Sequence, residues 1–183
     1  MGSLPKSQIF RLPRSMATSQ TYDPLDPLYG AVGDGVTDDL AALQAWVNGS
    51  GNGLSCLTLP ARTFLISGTL TFSRGGGCFQ GSGHGPFSAT IIKTNSPTAH
   101  MLQTDNQAVI IRNLSLHVAT GVTRTGGAAG IFMNNPGASG SYNQTVENVH
   151  IQDTGIGIWQ RHGGSVYVHN VTVYVKADNG VGF

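Results

Sequence analysis

Apolar residues recur along this chain with two different periods. Between residues 40 and 47, Leu40, Leu43 and Val47 return at helical spacing with Trp46 beside them, directly after Thr37, Asp38 and Asp39. Threonine is a good N-cap and aspartate suits the positive end of a helix dipole. The pattern therefore predicts a helix capped by Thr37, with Asp38 and Asp39 in its first turn. The loop-forming run "NGSGNG" (48–53) predicts its end. From there to residue 183 no second helical period occurs. Short apolar runs separated by Gly, Asn and Ser predict strands and tight turns instead.

Three of these runs repeat one another. "IIRNLSLHV" (110–118), "TVENVHIQD" (145–153) and "YVHNVTVYV" (167–175) each read apolar–x–Asn–apolar–x–apolar, around Asn113, Asn148 and Asn170. The later step is 22 residues and the earlier one 35, the excess falling in glycine-rich sequence between them. A smaller echo follows each run: "GIFM" (130–133), "GIGIW" (155–159) and "GVGF" (180–183). Cys56-Leu57 and Cys78-Phe79 show the 22-residue step again. A strand-and-turn unit of this length cannot bury its own apolar face and must stack on its neighbours. An all-β solenoid follows, a parallel β-helix. The repeated Asn would sit at a turn, where it tolerates left-handed backbone and its amide bonds the amides above and below.

Three longer segments carry a family likeness. "YGAVGDGVTDDLAALQAWV" (29–47), "LTLPARTFLISGTLTF" (57–72) and "CFQGSGHG" (78–85) resemble the opening of right-handed parallel β-helix proteins of the pectate-lyase-like superfamily. That group includes polysaccharide lyases, glycoside hydrolases, sugar epimerases and phage tailspikes. The resemblance implies a right-handed, single-stranded parallel β-helix with a short N-terminal capping α-helix, so the Gly-Asp-Gly turn starts a cap rather than a ligand loop. It implies a carbohydrate-active module that binds and cleaves an extended, acidic polysaccharide by lyase or hydrolase chemistry. The alternative is a non-catalytic structural or receptor-binding segment of a phage tail or surface appendage, for which a homotrimer is the expected assembly. Residues 54–183 hold about five or six coils of ~22 residues, fewer than is typical of the group. The sequence reading is thus a flexible arm or expression remnant at 1–20 and a β-helix over 21–183, cut short within a repeat at "NGVGF".

Composition narrows the partners. Charged residues make up 10% of the chain, against roughly 25% in an average globular protein, and the formal net charge is +1. No basic stripe offers a nucleic-acid interface, and no run of 18 apolar residues offers a transmembrane helix. The first residues lack the apolar stretch of a secretory signal, although the family favours an extracellular or virion-associated site. Cys56 and Cys78 fall at one coil position and have no metal-site spacing. Stacked thiols are the first expectation, since no cation is evident beside them, and a disulfide between adjacent coils is geometrically open.

Candidate chemistry lies on the repeats. With Ile111, Leu114, Leu116 and Val118 inward, Arg112, Ser115 and His117 point outward. Aligning the Asn positions then stacks Arg112 with Glu147 and His169, Ser115 with His150 and Thr172, and His117 with Gln152 and Tyr174. Asp153 and Arg161 flank the following turn near Trp159. Glycosidase chemistry uses two carboxylates about 5–9.5 Å apart, a role open to Glu147 with Asp153. Lyase chemistry uses a base at the carbon α to a uronate carboxylate and a cation to neutralise it, roles open to His150, His169 or Arg161. Glu147, Asp153, His150 and Arg161 are the catalytic candidates, and Arg112, His117, Trp159, His169 and Tyr174 the substrate-binding ones. No metal ligand set is evident, and a calcium ion enters only if the chemistry is of the lyase type. The plainer reading is that polar side chains simply alternate outward on a half-exposed sheet. Gly83-His84-Gly85 echoes a polygalacturonase tripeptide, but no acid lies nearby in sequence, and a turn is expected there.

Overall fold

The computed structural model describes residues 22–50, 56–73, 76–85, 90–105, 108–134, 143–161 and 164–174. The expected arm at 1–20 and the "GVGF" echo fall outside these residues. In chain order, β1 (Asp34–Asp38) leads into α1 (Leu40–Gly49), followed by β2 (Cys56–Thr58), β3 (Thr63–Ile66), β4 (Leu70–Phe72), β5 (Cys78–Gln80) and β6 (Ile91–Thr94). Then come β7 (Leu102–Thr104), β8 (Ile110–Val118), β9 (Ala129–Met133), β10 (Asn143–Gln152), β11 (Ile156–Gln160) and β12 (Ser165–Tyr174).

Every strand pairing among the described residues is parallel. A four-stranded sheet, in the order β11-β9-β7-β4, forms one panel. The eight remaining strands form a second sheet, which Asn113, Asn148 and Asn170 divide into two panels. These three residues have φ of 55, 51 and 49°, left-handed backbone inside an otherwise extended run. Before the break, Ile110–Arg112 pairs with β5; after it, Ser115–Val118 pairs with β6. Left-handed geometry in mid-strand turns the chain and resets which side chains face inward. Ile111 and Leu114, three residues apart, are accordingly both buried in the core.

The Asn side chains form the expected ladder. Asn148 Nδ2 donates to Asn113 Oδ1 at 3.1 Å, and Asn170 Nδ2 donates to Asn148 Oδ1 at 2.7 Å. The rows read from the sequence are the observed registers: Arg112, Glu147 and His169; Ser115, His150 and Thr172; His117, Gln152 and Tyr174. The shorter echo also pairs, Trp159 lying on Phe132 and Gln160 on Met133, so the second glycine of "GIGIW" is the repeat position. Gly157 and Gly130 allow close approach there: a Cβ on the first would lie 2.7 Å from Val173 Cγ2, and on the second 2.8 Å from Ile151 Cγ2.

The helix covers the start of the stack. It buries Leu43, Trp46 and Val47, and the Gln44 amide bonds both N–H and C=O of Thr71, filling the edge of β4 as a further strand would. Its start corrects the sequence reading. Thr37 is not the cap but lies in β1, bonded to the Asp34 carboxylate, and Asp39 holds the N-cap position without a capping bond. Its buried carboxylate instead accepts the N–H groups of Val32 and Gly33, while Asp38 takes Leu40 N and Ser67. The pairing of β1 with β3 extends the chain through Asp38 and delays the helix.

Cys56 and Cys78, opposite each other in β2 and β5, form a disulfide. Arg112 Nη2 lies 3.7 Å from Cys56 Sγ, so a cation does adjoin the pair, contrary to the sequence expectation. Replacing both cysteines by serine should cost about 3 kcal/mol in urea unfolding, the closure entropy of a loop of this length. Asn148→Ala removes two ladder bonds and puts a β-carbon on left-handed backbone, for a loss of about 2–3 kcal/mol. Asn148→Gly, which tolerates that backbone, should lose less; equal losses would mean that backbone strain has no part.

Candidate functional site

The panels separate the candidate residues into three groups. Arg112, Glu147 and His169 lie on the second panel, before the Asn bend. Arg112 is committed there, donating from Nε to Gln80 at 2.8 Å and from Nη1 to Glu147 at 3.3 Å. His117, His150, Asp153 and Tyr174 lie on or at the end of the third panel, after the bend. Trp159 and Arg161 lie on or beyond β11 of the first panel, where the Arg161 N–H bonds Met133 O. The single outward face read from the sequence is therefore divided. Glu147 and Asp153 are separated by the bend and then by about 16 Å of extended chain. The two-carboxylate arrangement is not assembled.

What is assembled is a groove of about 570 Å³ against the third panel. Lys93, His117 and Gln152 stand in one register row along its floor, with Asp153 and Thr154 at the end of β10. The segment Val118–Thr123 closes one side and leads to Arg124. Lys93 directs its ammonium back along the stack, where Nζ would lie 3.5 Å from a Cβ on Gly35. Asp153 keeps left-handed backbone (φ 62°) because its N–H is drawn to Tyr174 O at 2.8 Å. That turn sends its carboxylate toward Gln152 Nε2, 3.3 Å away.

His117 is the titrating centre of this groove. Its ring meets that of His150 edge-on with centroids 5.8 Å apart, and its buried Nε2 has no hydrogen-bond partner. Burial is the largest influence on it and lowers its pKa below the usual 6.5. The neighbouring His150 pushes in the same direction and Asp153 in the opposite one. The imidazole is consequently neutral at pH 7 and able to accept a proton.

One other expectation changes. Ser115 is fully buried, because the segment 81–85 lies across it: Gly81 N and Gly83 N bond the carbonyls of Arg112 and Asn113, and Gly85 N bonds Ser115 Oγ. His84 is exposed on that segment and does not line the groove. Trp159 is 37% exposed and ends a stack in which Phe132 lies 4.9 Å from it and His100 a further 4.1 Å from Phe132. Lys93 and Arg124 escaped the sequence reading. Lys93 sits in "IIKT", a strand without the marker Asn, and Arg124 in sequence taken as spacer. Among the described residues no three His, Cys, Asp or Glu side chains converge as metal ligands. The groove's single carboxylate does not match the oxygen cage that calcium needs.

Neither a family model nor a curated protein matches the sequence. Three solved structures are similar. The A-module of mannuronan C-5 epimerase AlgE4 from Azotobacter vinelandii matches at 22% identity and a TM-score of 0.57, over 80% of this chain and 48% of that one. The AlgE6 A-module of the same organism matches at 22% identity and a TM-score of 0.60, over 78% and 42%. ORF18 of Geobacillus virus E2 matches at 17% identity and a TM-score of 0.52, over 80% and 34%. The chain spans less than half the length of each of these structures. At such identities the likeness is one of fold alone.

Proposed function

We propose that this chain is a right-handed, single-stranded parallel β-helix module that binds an extended acidic polysaccharide in the groove beside β8 and β10. On this reading it acts on the carbon α to a uronate carboxylate. The observation that carries it is the neutral, half-buried His117 with Asp153 beside it in a groove that also holds two cations. His117 would remove the proton from that carbon, leaving an enolate whose charge the groove's cations oppose. Expulsion of the glycosidic oxygen, which takes up a proton, completes a lyase reaction. Delivery of a proton from water to the opposite face, with His117 releasing its own to solvent, gives an epimer. The epimerase names of two structural neighbours support the second outcome, and both outcomes begin with the same step. Hydrolysis by Glu147 with Asp153 has less support, because Glu147 is tied to Arg112 on another panel. His150 tunes His117, and Gln152 is placed to bond the sugar. The disulfide supports an oxidising, extracellular or virion-surface setting.

The viral neighbour favours a second reading, a non-catalytic appendage segment. It would be met by a homotrimer in sedimentation analysis together with no chemistry on any polyuronate.

Incubation with polymannuronate in D₂O should place deuterium at C5 of epimerised residues or, on elimination, leave a 4,5-unsaturated end, both read by NMR. His117→Gln should slow this by about 10²–10⁴-fold; undiminished exchange in the variant would remove His117 from the role. Exchange should fall as the pH drops through the lowered His117 range, where the base becomes protonated. Stability follows the same sign. His100, whose pKa burial and then Arg124 also lower, and His117 both bind a proton more readily in the unfolded chain. Their contribution is fully present above about pH 6.5 and is lost as the pH falls through the folded-state values. Urea midpoints between pH 7.5 and 5 should decline, and less steeply in His117→Gln.

A further inference from the structure

We propose that the loop end of the groove, at Arg124 and Thr154, is an anion subsite that takes the carboxylate of the sugar residue next to the one at His117. This rests on the polyuronate reading above and adds a second binding position with its own recognition group.

Arg124 is 8% exposed, and among the described residues it has no carboxylate partner. Its Nη1 donates to Ser96 O at 2.6 Å and its Nη2 to Ala129 O at 3.2 Å, while the buried Nε has no partner. Two carbonyls fix the guanidinium in place but do not neutralise it. A cation held this far from water without a counter-ion is costly, and a protein that keeps one usually meets its charge elsewhere. Burial lowers its pKa to about 10, so the charge persists at neutral pH. The groove is where an anion can meet it, because Arg124 forms part of the groove lining.

A second observation falls at the same place. Thr154 is 1% exposed, lines the groove and has an unpartnered hydroxyl. Among the described residues, three buried side-chain atoms without a partner belong to groove residues: His117 Nε2, Arg124 Nε and Thr154 Oγ1. Buried polar atoms are normally satisfied, so their concentration in one groove marks a place built for a polar ligand.

The charges felt at His117 are those of His150 and Asp153, whereas Arg124 acts on His100. A single sugar ring at His117 does not account for Arg124; a polymer with a carboxylate on each residue does. Lys93 and Arg124 against Asp153 leave the lining with a net positive charge while His117 is neutral, which suits that polymer.

The test measures calorimetric binding of a mannuronate oligomer and of its carboxyl-reduced counterpart in a His117→Gln background. Binding is then read even if His117 proves not to be the base, so this test and the exchange experiment can fail independently. Arg124→Gln should weaken the acidic oligomer by at least about ten-fold and leave the reduced one unchanged. Arg124→Lys should retain part of the preference, and Thr154→Val should weaken the acidic oligomer about three-fold. A purely structural Arg124 would lower the melting temperature without altering the ratio of the two affinities. Should Arg124→Gln fail to fold, the Lys and Val variants report the same ratio. The subsite is rejected if that ratio is unchanged in the variants, if both oligomers lose affinity equally, or if the parent binds neither.

Discussion

The left-handed backbone at Asn113, Asn148 and Asn170 is the constraint on which the rest of the molecule depends. One such residue in an extended strand costs of order 1 kcal/mol for most side chains, and asparagine tolerates it better than most. Repeated at one height in three successive strands, it gives each Asn amide a partner in the next. The ladder therefore offsets the conformation that makes it possible. It also fixes the register, since a slip by one residue would break the ladder and turn core residues such as Ile111 and Val149 outward. With the register fixed, every outward row is fixed too, including the one that sets Lys93, His117 and Gln152 side by side.

The bend has a second effect, on electrostatics. Arg112 and Glu147 lie before it and satisfy each other at the surface, a half-exposed pair of small energetic worth. His117, Asp153 and Arg124 lie after it, in a groove closed by the chain between β8 and β9. There the same kinds of charge are partly removed from water, and their interactions are screened less. On a chain with only 10 basic and 9 acidic residues, such concentration on one panel is where binding chemistry has physical leverage.

The sequence revealed the parts of this architecture that repeat. Three Asn-centred runs were enough to align the strands, and alignment alone predicted that Glu147 would pair with Arg112 and Gln152 with His117. It did not reveal the division of the outward face, because a turn at Asn148 does not by itself say how far it rotates the side chains that follow. Thr37 misled for a related reason: its capping preference is local, and pairing of β1 with β3 overrode it. Lys93 aligns with His117 only through β6, a strand with no Asn to mark its register. Arg124 has no counterpart in any other coil, so no repeat could point to it.

That last failure points to how the fold divides its labour. From Thr58 to Gln80 and from Asn148 to Asn170 the chain takes 22 residues per level, and from Gln80 to Arg112 and Asn113 to Asn148 it takes 32 and 35. The short steps contain little beyond strands and turns. The long ones contain the segment that covers Ser115 and the segment that closes the groove and carries Arg124. A stacked fold tolerates such insertions because loop closure costs rise only slowly with length. The repeated residues thus hold a rigid wall. The residues that break the repeat stand on that wall, where a long polymer can reach them.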